Sequence, residues 1–399
     1  MYYFTRNNNF YSNFNIVIQR FLQRNVHFNK KKNSNSGKSV YEIVTLSHND
    51  KLKNLENKLE ILEKQRAETH SMISKKVTSK INKLKDWICD EKSDIVIIGS
   101  VATGLTLSSD TYTDLVVVSL DEGSNGFLSQ IEENELLLKN HSQIMGKHIT
   151  ENPFLWDNNK DKMYNYTKLS VPLLDLRFGD STNLSIRFYD YNSLKRTNLV
   201  RYYAASDPRF RKLYMYVKML LPKIIKDDSA NEPLKGYSIS LLVAHFLQTS
   251  LKNEQPVLPL ITEIYPSLLS PHLSTNEVLT NLKKPVDVSA IQSLINPKPL
   301  ASHLVVQFIE YFADFDFTKN AIYVNKVYPK VNNKNVTNSK LQIFDLYSDM
   351  SIDNSDRNLK IFSKSMQYAR DLVKRGYLID DIPNFDKEKI PRLSFRSKK

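Results

Sequence analysis

The chain has 399 residues, 41% of them apolar and 11% aromatic, so disorder throughout is excluded and the length suggests about two or three domains. Its one cysteine, Cys89, excludes a disulfide framework or a zinc cluster within the chain, and its 9 glycines argue against the glycine-rich nucleotide folds. No apolar run reaches the roughly 18 residues of a membrane-spanning helix. A net charge of +13 favours a polyanionic partner such as RNA, although charge alone does not separate RNA from an acidic protein or lipid.

Residues 1–41 hold seven Lys or Arg and no Asp or Glu, which predicts a disordered basic arm over 1–50. Within it, Phe14, Ile16, Val17, Ile18, Phe21 and Leu22 surround Arg20 and Arg24. Such an acid-free amphipathic stretch suits either a mitochondrial presequence or an RNA-touching tail. Leu52, Leu55, Leu59 and Leu62, followed by Ile73, Val77, Ile81 and Leu84, give a helical apolar stripe over 51–90. Asp94–Gly99 and Leu115–Val118 read as buried strands. Val171–Phe178 and Leu184–Tyr189 read as two more, joined by a turn over 179–183. A helical pattern fills about 70 residues after 194, and Pro256 and Pro259 end a helix near Gln255. Residues 331–339 read as an Asn-rich loop and 391–399 as a basic tail.

Gly99-Ser100 ends a strand and precedes Thr103-Gly104-Leu105, with Asp110 and Asp114 before the next strand. A Gly-Ser turn there can offer amides and a hydroxyl to a phosphate, beside carboxylates suited to divalent metal. The run from Gly99 to Leu107 resembles the signature of the DNA polymerase β nucleotidyltransferases. More specifically, it is similar to that of the noncanonical poly(A) polymerases and terminal uridylyltransferases. Thr197–Lys218, Gly236-Tyr237 with Leu241–Gln248, and Leu304–Val324 resemble further motifs of that family in the same order. The resemblance implies an α+β fold. A nucleotidyltransferase lobe would span 91–195, and a helical lobe would be built from 51–90 and 196–370, with a poly(A)-polymerase-associated segment at 300–360 and a helix and tail at 371–399. It also implies Gly99, Ser100, Thr197, Lys218 and Tyr237 as nucleotide-binding residues.

The family's metal site needs an Asp-x-Asp pair, because alternate residues on a strand share a face, and a third carboxylate from a neighbouring strand. This chain departs from that set. Asp110 and Asp114 are four apart, Tyr112 and Val116 occupy the i+2 positions, and Ser185 stands where the third carboxylate belongs. Arg187 shares the face of Ser185, whereas Asp180 and Asp190 lie an odd number of residues from it and should face the other way. The family's ribose-contacting Asn corresponds to Arg196, its second triphosphate lysine to Pro222, and the Ser before its stacking Tyr to Gly236. Asn354 to Arg357 echoes a closing loop, with Asp353 in place of His. His245, His303, Cys89 and the aromatic Phe308–Phe317 run read as structural. Arg209 and Arg211 read as ion-pair partners at a helix start.

The expectation is a pseudo-nucleotidyltransferase of RNA 3′-end metabolism, cytoplasmic or alternatively mitochondrial, needing no cofactor and working with RNA and a protein partner. One alternative is a working adenylyl- or uridylyltransferase using Mg²⁺ or Mn²⁺ with ATP or UTP, with Asp110 and Asp114 as metal ligands. The other is a protein-only adaptor.

Overall fold

The computed structural model describes residues 38–109, 111–121, 135–152, 155–156, 163–167, 172–224, 234–249, 255–317, 319–326, 341–352 and 356–378. Asp110, Asp353, Asn354, most of the basic arm, the Asn-rich loop and the basic tail lie outside them. In chain order the first helices are α1 (Val40–Ser47) and the 40-residue α2 (Asn49–Ile88). Strand β1 (Ser93–Ile97), the short α3 (Gly99–Thr103), β2 (Thr113–Ser119) and α4 (Glu135–Glu151) follow. Then come β3 (Met163–Thr167), β4 (Leu173–Arg177) and β5 (Asn183–Phe188). The remaining longer elements are α5 (Tyr191–Ser206), α6 (Pro208–Ile224), α7 (Gly236–Leu247), α8 (Thr275–Lys283), α9 (Ala301–Ala313), the strand pair β6 (Ile322–Tyr323) and β7 (Ile343–Phe344), and α10 (Asp356–Lys374). This is the α+β class expected. Strand β3 and helix α4 carry no strong apolar alternation or stripe, and the sequence reading missed both.

The packing falls into two units. One is Leu62–Pro208 with Ile261–Leu294; the other takes Arg209–Leu260 and the segments before Leu62 and from Ile295 onward. The first unit is built on a five-stranded sheet of order β1-β2-β5-β4-β3. Strands β2 and β5 run parallel, and the other neighbours run antiparallel. Alternation gives the sheet two faces. On one, Leu115, Val117, Leu174, Leu176, Leu184, Ile186 and Phe188 are buried against Ile73, Val77, Ile81 and Leu84 of α2. The other is apolar only in part, where Val116 and Val118 meet Ile98, Leu194, Val278 and Leu279. The boundaries expected at 90/91 and 195/196 differ from this division. The second half of α2 is needed to cover the sheet, and α5 is tied to the 261–294 segment. There Asn198 Nδ2 donates to the Leu268 carbonyl (2.9 Å), and Arg201 to those of Asn281 (3.3 Å) and Lys284 (2.9 Å).

In the second unit Leu52, Leu55 and Leu59 of α2 are buried. Lys212, only 5% exposed, forms ion pairs with Glu56 and Glu60. Arg209 donates to the carbonyls of Pro299 and Asn296, each at 2.8 Å. Arg209 thus clamps the 296–299 turn to the start of α6 through two carbonyls. Phe246, Phe308, Phe312 and Phe362 pack edge to face, and Phe317 lies parallel to Phe312, in one aromatic core. His245 Nε2 lies 2.9 Å from the Tyr311 hydroxyl, and burial lowers its pKa to about 4, so it is a neutral core residue. Cys89 is equally inert, since burial raises its thiol to about 11.

Candidate functional site

The Gly-Ser turn is built as a tight strand-to-helix corner. Gly99 adopts φ +67°, a left-handed conformation that L side chains rarely take. A Cβ at Gly99 would also come within 2.8 Å of the Asp114 carboxylate, so two independent constraints demand glycine. The Gly99 amide donates to Thr197 Oγ1 (3.1 Å), and Thr197 in turn donates to the Ser193 carbonyl (2.7 Å). The Ser100 hydroxyl accepts from Thr106 (3.4 Å). Gly104, again left-handed, closes α3, and its carbonyl is held by Arg66, which Glu63 grips at 2.7 and 2.9 Å. Several of the polar groups expected to cradle phosphate therefore already hold one another.

Strand register then sets the carboxylates. Asp114 on β2 stands opposite Ser185 on β5, and Ser185 stands opposite Asp175 on β4. Residues in register share a face, so Asp114, Ser185 and Asp175 form one row across three strands. The Ser185 hydroxyl donates to Asp175 Oδ1 at 2.8 Å. Asp175 was not foreseen. A signal existed, because a hairpin centred on Asp180 pairs residue 185 with 175. One step along the strand, Arg187 lies 3.9 Å from Asp114 Oδ1 and 3.6 Å from Asp190 Oδ2.

Asp190 therefore joins this face, against the alternation argument. The reason is local: Tyr189 takes φ +59°, which ends the strand and turns the following residue back. Asp190 also caps α5, accepting from the Ser193 amide at 3.1 Å. Asp180 instead faces Lys80 of α2 at 3.8 Å, on the other side of the sheet. Burial raises the pKa of Asp114, Arg187 pulls it down, and Asp175 and Asp190 push it up, with a net rise.

Tyr112 stacks beside Arg177, 5.6 Å from guanidinium carbon to ring centroid, and accepts a hydrogen bond from it. Val116 is wholly buried among apolar side chains, so its position serves the core. Lys218 on α6 and Tyr237 on α7 belong to the second unit, where the Tyr237 hydroxyl donates to Asp345 (3.1 Å). A Cβ on Gly236 would sit 2.9 Å from the Tyr214 hydroxyl.

The described residues do not fit a pair of divalent ions. No group of three His, Cys, Asp or Glu among them is placed to hold a metal. Asp114 and Asp175 sit two strand spacings apart with Ser185 between them, and Asp175 Oδ1 is taken up by the Ser185 hydroxyl at 2.8 Å. Arg187 contributes positive charge between Asp114 and Asp190 instead.

No family model matches the chain. Among curated proteins it is 25% identical over 276 residues to poly(A) RNA polymerase GLD2 of Xenopus tropicalis, covering 64% of this chain and 48% of that protein. It is 31% identical over 161 residues to GLD2 of Homo sapiens, covering 40% and 32%, and 29% identical over 177 residues to gld-2 homolog B of Drosophila melanogaster, covering 43% and 12%. The matched stretches thus span half or less of these relatives' length. Among solved structures, one from a GLD-2/RNP-8 complex aligns with TM-score 0.60 at 18% identity, covering 81% of this chain and 97% of that one. Cid1 poly(U) polymerase aligns with TM-score 0.57 at 17% identity, covering 82% and 95%. Apo mtPAP aligns with TM-score 0.61 at 16% identity, covering 86% and 72%. These likenesses establish a shared fold.

Proposed function

We propose, from the premise that the chain belongs to the noncanonical poly(A) polymerase family of nucleotidyltransferases, that it acts in RNA 3′-end metabolism as a catalytically silent, RNA-binding or regulatory subunit. The observation that carries this reading is Arg187, whose guanidinium approaches both Asp114 and Asp190 while Ser185 separates Asp114 from Asp175. Charge stabilisation at the transferring phosphoryl group supplies most of the catalysis in such reactions. A fixed guanidinium balancing the remaining carboxylates opposes the ion pair that chemistry uses. RNA as a partner rests on the net charge of +13. A protein partner rests on the solved GLD-2 relatives, which were captured as complexes with RNP-8 and GLD-3. The cytoplasm is the proposed location, with the mitochondrion as the alternative given the likeness to mtPAP. Among the described residues no helix is long and apolar enough to cross a membrane.

The test is incubation of the purified chain with an RNA oligonucleotide, each nucleoside triphosphate, and Mg²⁺ or Mn²⁺. No extension of the RNA above an Asp114→Ala control is expected. A second reading has its own observation: Asp175, in register with Ser185, supplies a carboxylate one strand away from the lost position. Under that reading RNA is extended, and Asp175→Asn abolishes the extension.

A further inference from the structure

On the Asp114 face, two side chains that meet each other have hydrogen-bonding capacity left over. Arg187 approaches Asp114 Oδ1 at 3.9 Å and Asp190 Oδ2 at 3.6 Å. Both contacts are ion pairs beyond hydrogen-bond length. Asp190 has its oxygens engaged by the Ser193 amide and hydroxyl. Among the described residues the Arg187 guanidinium therefore donates no hydrogen bond, and its Nε is buried without a partner. A buried donor in that state costs free energy unless something else satisfies it. The half-buried Asp114 carboxylate likewise has only the long contact to Arg187.

Register makes the two a pair. Asp114 stands opposite Ser185, and Arg187 stands two residues further along β5, on the same face. Ser185 spends its proton on Asp175 Oδ1, which leaves Asp114 to act with Arg187 alone.

The chemistry of the pair narrows its ligand. An anion would meet the carboxylates of Asp114, Asp175 and Asp190 against a single guanidinium, and is repelled. A divalent cation would meet Arg187. A neutral, planar group with N–H donors beside acceptor atoms suits both partners. Among the RNA bases, guanine alone places two adjacent N–H donors, N1 and N2, for the two oxygens of one carboxylate. Beside them it carries two acceptors, O6 and N7, for a guanidinium fork.

We propose, resting on the RNA-binding reading above, that Asp114 and Arg187 together bind a guanine base of single-stranded RNA without metal. Asp114 accepts from N1 and N2, and Arg187 donates to O6 and N7.

The experiment measures binding of the full chain to a fluorescent oligouridine by anisotropy in EDTA. The same RNA is then used with one central guanine, adenine, cytosine or hypoxanthine. The guanine RNA is expected to bind about tenfold more tightly than oligouridine. Hypoxanthine lacks the N2 amine and should give up about threefold of that preference. Asp114→Asn and Arg187→Met should each cut the guanine preference to below about twofold, while oligouridine binding, which follows net charge, stays within about twofold of the parent. In Asp114→Asn, guanine and hypoxanthine should bind alike, which a merely structural role of Asp114 would not produce. Should Arg187→Met fail to fold, the guanine-to-hypoxanthine comparison in the parent chain still decides. Equal binding of all the RNAs, a preference for adenine or cytosine, a guanine preference that appears only with Mg²⁺, or one retained in Arg187→Met would each overturn the proposal. RNA extension in the assay above overturns the silent reading instead. Equal binding of every RNA without extension overturns this proposal alone, and no binding of any RNA overturns the RNA-binding reading together with it.

Discussion

The two faces of the five-stranded sheet come from the same strands yet obey different rules. One face is continuous and apolar, closed by α2 and α4. The other is half apolar and half charged, with Asp114, Ser185, Asp175 and Arg187 in the open part. The first face is held by burial, and any apolar side chain of suitable volume contributes to it. The second is held by particular partners, so single substitutions there should move charge and chemistry more than stability.

The largest effect should come from the apolar face. Ile186 is fully buried there. Ile186→Ala should cost about 2–5 kcal/mol in chemical denaturation. A smaller loss would show that the covering by α2 and α4 is looser than the packing implies. Next comes the corner between the faces. Gly99→Ala places a methyl group in left-handed backbone and within 2.8 Å of a carboxylate oxygen. It should cost about 1–3 kcal/mol, and part of that loss should be relieved when Asp114 is simultaneously Ala, since the two sites are in contact.

The smallest effect belongs to the charged face and shows only as a pH profile. The folded pKa of Asp114 is raised, with burial as the main cause. The folded state therefore binds the proton more tightly than the unfolded state, whose reference value is 3.8. Stability contributed by this group is present below that value and is lost as pH rises through the higher folded pKa. Asp114→Asn should flatten that decline across mildly acidic pH in thermal melts. A steeper decline would place the burden on another carboxylate.

The same contrast explains what was legible in the sequence. An unbroken apolar run marks β2, apolar residues at alternate positions mark β5, and the stripe Ile73, Val77, Ile81, Leu84 marks the helix that covers them. Gly99-Ser100 with Asp114 was readable because the corner forces glycine. The rest of the site depends on facts that period and spacing do not carry. Asp175 reaches the row only through hairpin register, and Asp190 only because Tyr189 leaves the strand with a positive φ. Strand β3 was missed because an edge strand with an exposed Tyr164 needs no apolar alternation. The division of α2 between the units, after Ile61, is a tertiary choice that the residue types along the helix do not mark.

Asp190 has a consequence of its own. Its carboxylate receives Arg187 on one side and starts α5 through the Ser193 amide on the other. Ser193 is joined to Thr197, and Thr197 to the Gly99 amide. A guanidinium, a helix start and a glycine corner are thus links of one short chain of contacts. Replacing Arg187 by a neutral residue would therefore loosen the helix start and the glycine corner together, not the carboxylates alone.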